Sequence, residues 1–96
     1  MLKSVILDAR KLKERDSAHA YLKEMLELPE YYGRNLDALY DCLTEMSERE
    51  IRFVHTSEAG SYFPRVRRVF EDARLENPGL RVRYGSGFEL GNRRNG

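Results

Sequence analysis

The stretch Leu28-Pro29-Glu30-Tyr31-Tyr32-Gly33-Arg34-Asn35-Leu36-Asp37-Ala38-Leu39-Tyr40-Asp41-Cys42-Leu43-Thr44-Glu45-Met46 begins as a turn and ends as a helix. Pro29 should stop any helix that precedes it, because its ring forbids a continued hydrogen-bond ladder. Gly33 is expected to let the loop bend through positive φ, and Asn35 is a good N-cap for the run that follows. At about 100° per residue, positions 36 to 46 divide into two faces. Leu36, Leu39, Cys42, Leu43 and Met46 fall on one side; Asp37, Tyr40, Asp41, Thr44 and Glu45 fall on the other.

The polar face works against its own helix. Asp37, Asp41 and Glu45 recur at every fourth position with no cation among them. Like charges at that spacing cost a few tenths of a kcal/mol per pair, roughly what an opposite pair would gain. Asp37 lies in the first turn, where the helix dipole favours an anion. Asp41 sits mid-helix, where aspartate is a mediocre helix former, and Glu45 approaches the unfavourable C-terminal end. Helix stability therefore leaves two of the three carboxylates unexplained.

The rest of the chain sets bounds on what they could be for. Its 96 residues, 41% hydrophobic and 34% charged, suffice for one small domain with a modest core. No apolar run is long enough to span a membrane, and Met1-Leu2-Lys3-Ser4 carries no signal-peptide pattern. The single cysteine fits a reducing compartment, so a cytoplasmic location is expected. With only His19 and His55 beside Cys42, no zinc site is expected, and no cofactor motif is present.

A formal net charge of +1 conceals strong segregation. Between Glu27 and Glu50 seven acids face only Arg34 and Arg49, a local balance of −5. From Ser61 onward eight arginines face four acids, a balance of +4. Such a distribution implies charged partners that the net charge would not suggest.

Ser4–Asp8 is a short β-branched run that reads as a first strand, and a polar connection follows. Asp16 or Ser17 is the expected cap of a first helix over 17–28, with Ala18, Leu22, Met25 and Leu26 at helical spacing. The second helix runs roughly over 35–46. Ile51–Thr56 reads as a second strand. Tyr62, Val66, Val69, Phe70 and Ala73 form a third helical stripe, with Pro64 tolerable in its first turn. Asn77-Pro78-Gly79 is a stop, and Leu80–Tyr84 alternates as a strand with one buried face. Strands joined through helices should be parallel with right-handed crossovers. The expectation is a two-layer α/β domain over 1–85, a three-stranded parallel sheet with three to four helices on one face. Residues 86–96, rich in glycine, are expected to be a disordered tail.

The carboxylate stripe admits three readings: a solvated face, a divalent-metal or acid–base site, or an anionic surface shaped for a cationic protein groove. Tyr31, Tyr32 and Tyr40 flank the acids, and exposed tyrosine beside unpaired charge is how interface hot spots look. Cys42, on the apolar side, reads as a buried thiol rather than a nucleophile, since no histidine is near it in sequence. Nothing in the sequence assembles around His19 or His55. Arg65, Arg67, Arg68, Arg81 and Arg83 could contact nucleic-acid phosphates, but no RNA-binding signature or aromatic platform accompanies them. A nucleic-acid partner is accordingly not expected.

The run Leu-Pro-Glu-Tyr-Tyr-Gly-x-Asn-Leu-Asp-Ala-Leu-Tyr-Asp-Cys-Leu-Thr resembles the barstar family, intracellular inhibitors of the secreted ribonuclease barnase. The likeness is dense over Leu28–Thr44 and looser across most of the chain, including Val69-Phe70-Glu71-Asp72-Ala73. It implies a three-stranded parallel sheet with helices packed on it, and a basic bacterial ribonuclease as partner in a one-to-one complex. It also implies no enzymatic activity, no cofactor and no membrane. Matched residue by residue, Asp41 would occupy the place of a substrate phosphate. Asp37 would bind donors at the rim of the nuclease site, and Tyr31 would pack on its catalytic histidine. Asn35, Tyr40 and Thr44 match further contact positions, and Glu45 lies close to the partner. Asp72 falls where the family carries a glutamate paired with a nuclease arginine. Tyr40 and Met46 stand where barstar has tryptophans, Glu45 replaces a glycine and Arg34 replaces an acid. These departures suit a related guanyl-type ribonuclease rather than barnase itself. The connection between the second strand and the last helix is shorter, so a helix found there in barstar should be reduced or missing. The alternative is an interaction module of the same fold whose partner is not a nuclease.

Overall fold

A computed structural model describes residues 3–87. The chain runs β1 (Lys3–Asp8), α1 (Arg15–Leu26), α2 (Leu36–Thr44), β2 (Arg49–Val54), α3 (Phe63–Glu76) and β3 (Leu80–Tyr84). Single 3-10 turns follow β1 at Ala9–Lys11 and β2 at Thr56–Glu58. The three strands form one parallel sheet in the order β1-β2-β3, with Val5 opposite Ile51 opposite Val82, and Leu7 opposite Phe53 opposite Tyr84. These two rows face the helices. Ser4, Ile6, Arg81 and Arg83, one residue out of phase, are exposed on the far face. The expected two-layer α/β architecture is present.

Phe53 is the centre of the core. It is fully buried, meets the rings of Phe63 and Phe70 edge-on at 5.3 and 5.0 Å, and stacks on Tyr84 at 5.6 Å. Such pairs add about 0.5–1.5 kcal/mol each beyond the area they bury. Leu7, Leu22, Leu39, Leu43, Ile51 and Val66 close around them with no measurable exposure. Leu39 and Leu43 come from the apolar side of the second helical wheel, so that stripe does face the core.

Several boundaries differ from the sequence reading for local reasons. Helix α1 begins at Arg15, ahead of Asp16 and Ser17, and ends at Leu26, ahead of Pro29. Its stop is made by Glu27, whose left-handed φ of 55° turns the chain. The Leu28 and Glu27 N–H groups then donate back to the Lys23 and Glu24 carbonyls at 2.9 and 3.3 Å. This is the double closure usually built on a glycine. Helix α2 is likewise shorter than 35–46, and Met46 lies past its end. Strand β2 starts at Arg49, before Ile51, and ends at Val54. Helix α3 starts at Phe63 with Pro64 in its first turn, and β3 spans Leu80–Tyr84 as read. Between β2 and α3 there is a 3-10 turn and no α-helix, in line with the shortened connection. Gly85, Ser86 and Gly87 are tied to that turn, their carbonyls accepting from Thr56, Ser57 and His55 N–H groups at 3.0, 3.4 and 3.0 Å. The remainder of the expected tail lies outside the described residues.

One close approach of backbone to backbone holds the β1 and β2 exits together. Gly60 N–H donates to the Ala9 carbonyl and Tyr62 N–H to the Leu12 carbonyl, each at 3.0 Å. A Cβ at position 60 would run into the Leu12 carbonyl and the Lys13 Cα. Backbone there cannot step aside as a side-chain tip could. Gly60→Ala should therefore lower stability by about 1–3 kcal/mol, the ordinary range for overpacking, read as a reduced urea midpoint at unchanged slope.

Candidate partner-binding face

The face is built on α2 and the turn before it. Asn35, in extended backbone, caps the helix as expected, its Oδ1 accepting from Ala38 N–H at 2.7 Å while its Nδ2 donates to the Gly33 carbonyl at 3.3 Å. The left-handed residue of this turn is not Gly33 but Arg34, at φ 56°. Gly33 instead leaves room: a Cβ there would press on Asn35 Nδ2 at 3.3 Å and Ala38 Cβ at 3.4 Å. The opposite end of α2 has no basic residue in its last turn. Its carbonyls are held by a residue that sequence reading treated only as a stop. Asn77 Nδ2 donates to both the Leu43 and Met46 carbonyls at 2.9 Å, and its Oδ1 accepts from Gly79 N–H at 3.0 Å. An asparagine beside Pro-Gly is common turn chemistry, so nothing local marks it as a fastener for another helix.

On this frame Asp37, Asp41 and Glu45 are exposed, Glu45 serving as the C-cap residue. Among the described residues none of these carboxylates has an ion-pair partner. Nor do three His, Cys, Asp or Glu side chains come together anywhere among them to hold a metal ion. Thr44 Oγ1 turns back to donate to the Asp41 carbonyl at 2.9 Å. Tyr40 is half-buried and packs on the core, so it is less free than its place on the polar side of the wheel suggested. Asp72 is exposed on α3 and lines a separate hollow with Phe63, Pro64, Arg67 and Arg68. The structure thus gathers Tyr31, Asn35, Asp37, Tyr40, Asp41, Thr44 and Glu45 on one element and its entry loop, with Asp72 on a neighbouring helix.

The two adjacent tyrosines have opposite fates. Tyr31 is 86% exposed, whereas Tyr32 is 5% exposed and belongs to the core. The expectation of three exposed tyrosines is corrected here, and the cause is His19. Its side chain is fully buried, with Nδ1 at 2.6 Å from the Tyr32 hydroxyl and Nε2 at 2.9 Å from the Tyr62 hydroxyl. A neutral imidazole donates from one nitrogen and accepts at the other, so both hydroxyls are satisfied. This bridge draws the 29–33 loop onto α1 and the start of α3. Tyr32 inside forces Tyr31 outside. Burial, reinforced by Arg15 and opposed by Asp16, pushes the His19 pKa below its usual 6.5.

Beneath Tyr31, between the loop and the C-terminal half of α2, lies a hollow of about 420 Å³. Cys42 is half-buried in its wall rather than sealed in the core, and burial pushes its thiol pKa up, with Glu45 and Asp41 adding to the effect. A raised pKa makes it a poor nucleophile, as its position implied.

Three arginines of the basic half are engaged with their own surroundings. The Arg67 guanidinium lies 4.6 Å from the Tyr84 ring centroid, Arg74 pairs with Glu71 at 2.8 Å, and Arg83 pairs with Glu50 at 3.1 Å. The Tyr84 hydroxyl also donates to Glu71, which together with Arg74 holds that carboxyl below its usual range.

The family model described as Barstar (barnase inhibitor) matches residues 2–84. The chain belongs to the barstar family. A relative from Bacillus subtilis (strain 168), named "Putative ribonuclease inhibitor YrdF", is 36% identical over 81 residues, covering 78% of this chain and 89% of the relative. The family match spans all six strands and helices, from Lys3 to Tyr84.

Two outcomes follow for the supports of this face. The unfolded chain takes up the His19 proton more readily than the fold does, so stability is complete above pH 6.5 and falls as the pH drops through 6.5 toward the lowered folded pKa. Urea denaturation between pH 7.5 and 5.5 should show that decline in the wild type and lose most of it in His19→Phe. Asn77→Ala should cost about 1–3 kcal/mol by removing the side-chain donor shared by the Leu43 and Met46 carbonyls, and amide exchange should rise first in the last turn of α2.

Proposed function

We propose that this protein is a cytoplasmic, non-enzymatic inhibitor of a basic, guanyl-type bacterial ribonuclease, acting as a monomer that occludes the nuclease active site one to one. The observation that carries this reading is the display of Asp37 and Asp41, exposed and without ion-pair partners among the described residues, beside a tyrosine that is 86% exposed. Membership of a family described as barnase inhibitors, and a relative named as a ribonuclease inhibitor, support it. A groove that binds polyanionic RNA presents cations in fixed positions. A helix that holds carboxylates at matching spacing can fill that groove without the entropy cost of ordering a flexible chain. Asp41 would take the place of a phosphate and Asp37 would meet donors at the rim. Tyr31 would stack on the nuclease, with Asn35, Tyr40, Thr44 and Glu45 completing the contact and Asp72 reaching it from α3. The mutual repulsion within α2, unexplained by the free helix, is relieved when cations arrive.

The reading is tested with purified guanyl-type ribonucleases. Asp41→Ala should weaken inhibition by about 2–4 kcal/mol, the loss expected at a charged hot spot, with a thermal midpoint no lower than that of the wild type, because no partner within the fold is lost and the repulsion from Asp37 and Glu45 is removed. Wild-type inhibition by Asp41→Ala would sink the assignment. Failure of the wild type to inhibit any such nuclease would favour a partner of another kind. Association should also slow steeply as ionic strength rises from about 0.01 to 0.15 M, where screening shortens from roughly 30 to 8 Å. Barnase and barstar are themselves a known case of such steering. A rate indifferent to salt would show that the segregated charge plays no part in encounter.

A further inference from the structure

Arg34 is the only cation from Glu30 to Glu45, a span that holds four acids. It is exposed and stands immediately before Asn35, the N-cap of α2. Two features of that position work against it. Its φ of 56° is left-handed, a conformation open to glycine and tolerated by asparagine but resisted by longer side chains. Its charge also lies at the positive end of the α2 dipole, where an anion is favoured. The turn requires left-handed backbone at position 34, but nothing in the turn requires arginine there.

The other left-handed residues have uses within the fold. Glu27 closes α1 and pairs with Lys3 at 3.1 Å, and the His55 N–H donates to the Gly87 carbonyl at 3.0 Å. Arg34 makes no side-chain hydrogen bond or ion pair among the described residues, and only tempers the burial that pushes the Tyr32 pKa up. Two carboxylates lie within four residues of it. Glu30 pairs instead with Lys23 at 3.2 Å, and Asp37 has no ion pair among the described residues. The cation and the nearest acids of the stripe are therefore both presented outward. Backbone strain that the surrounding structure enforces gathers at functional sites.

The chemistry of what Arg34 meets follows from its setting. A basic groove that attracts Asp37 and Asp41 repels a cation beside them. A neutral carbonyl opposite Arg34 would leave that repulsion standing. A carboxylate offsets it, and its two oxygens match the planar fork of a guanidinium. We propose that Arg34 is a specificity-determining residue of this face, whose guanidinium takes a carboxylate on the rim of the partner's basic groove. The inference rests on the inhibitor reading and deepens it: the cognate nuclease carries an acid beside the cations that Asp37 and Asp41 engage. Opposite charges at positions 34 and 37 then admit one docking register and reject a groove whose rim is basic throughout.

The test uses a guanyl-type ribonuclease whose inhibition requires Asp41. Arg34→Asn is neutral and tolerates left-handed backbone, so its urea midpoint should equal or exceed that of the wild type. General attraction predicts that removing a cation from an acidic face tightens binding to a basic partner. A specific carboxylate opposite Arg34 predicts the reverse. The inhibition constant should rise about tenfold or more in Arg34→Asn, and about a hundredfold in Arg34→Glu. Exchanging the rim carboxylates of the nuclease for lysine one at a time should yield one enzyme that Arg34→Glu inhibits better than the wild-type chain does. Inhibition by both Arg34 variants that equals or exceeds the wild type would overturn the role of Arg34, while the Asp41 requirement leaves the inhibitor reading standing. A weakening that no carboxylate exchange on the nuclease reverses would overturn it as well. A chain that inhibits no such ribonuclease overturns both readings together.

Discussion

A row of mutually repelling carboxylates can be displayed only on a helix that is held from outside itself, and in this protein two asparagine side chains do the holding. Asn35 satisfies the Ala38 N–H at the start of α2, and Asn77 satisfies the Leu43 and Met46 carbonyls at its end. Nine residues are too few for a helix to persist alone in water, whatever its composition. Leu39 and Leu43 bury the underside completely. Asn77 and the core that Leu39 and Leu43 enter are supplied by other parts of the chain, so the acidic face inherits the rigidity of the whole domain rather than of its own turn.

The same logic governs the loop that carries Tyr31. A solvent-exposed aromatic on a free loop would sample many positions and lose most of its contact energy to ordering. Here its neighbour Tyr32 is locked by His19, which also reaches Tyr62 at the entrance to α3. One buried imidazole thus ties three segments that are distant in sequence, without a charge to desolvate as long as it stays neutral. The fold spends its few buried polar groups where the outward face needs support.

Patterning along the chain was enough to read the architecture and the acidic stripe. The alternation Leu-Arg-Val-Arg-Tyr gave β3 to the residue, because a half-buried strand writes its two faces directly into sequence. The period of α2 placed Leu39 and Leu43 inside for the same reason. What could not be read depends on contacts across long separations. Tyr31 and Tyr32 are indistinguishable until His19, thirteen residues earlier, selects one of them. Asn77 looks like a turn residue until α2 is laid beside it. Glu27 and Arg34 adopt left-handed backbone that local propensity assigns to glycine, since surrounding hydrogen bonds and packing over-determine those turns. Arg49, at the head of a strand, shows its unsatisfied Nε only once the Leu26 carbonyl is seen to engage the other end of the guanidinium.

The order β1-β2-β3 has a kinetic corollary. Parallel neighbours cannot pair through a tight hairpin, and the crossover from β1 to β2 contains both α1 and α2. The strands can meet only after some forty intervening residues have been compacted, the kind of non-local closure that slows folding. Leu39 and Leu43 must find the core within that same closure, so a partly folded chain has neither a zipped sheet nor a presentable acidic helix. Assembly of the sheet and maturation of the binding face are one cooperative event, and a newly made molecule becomes competent all at once.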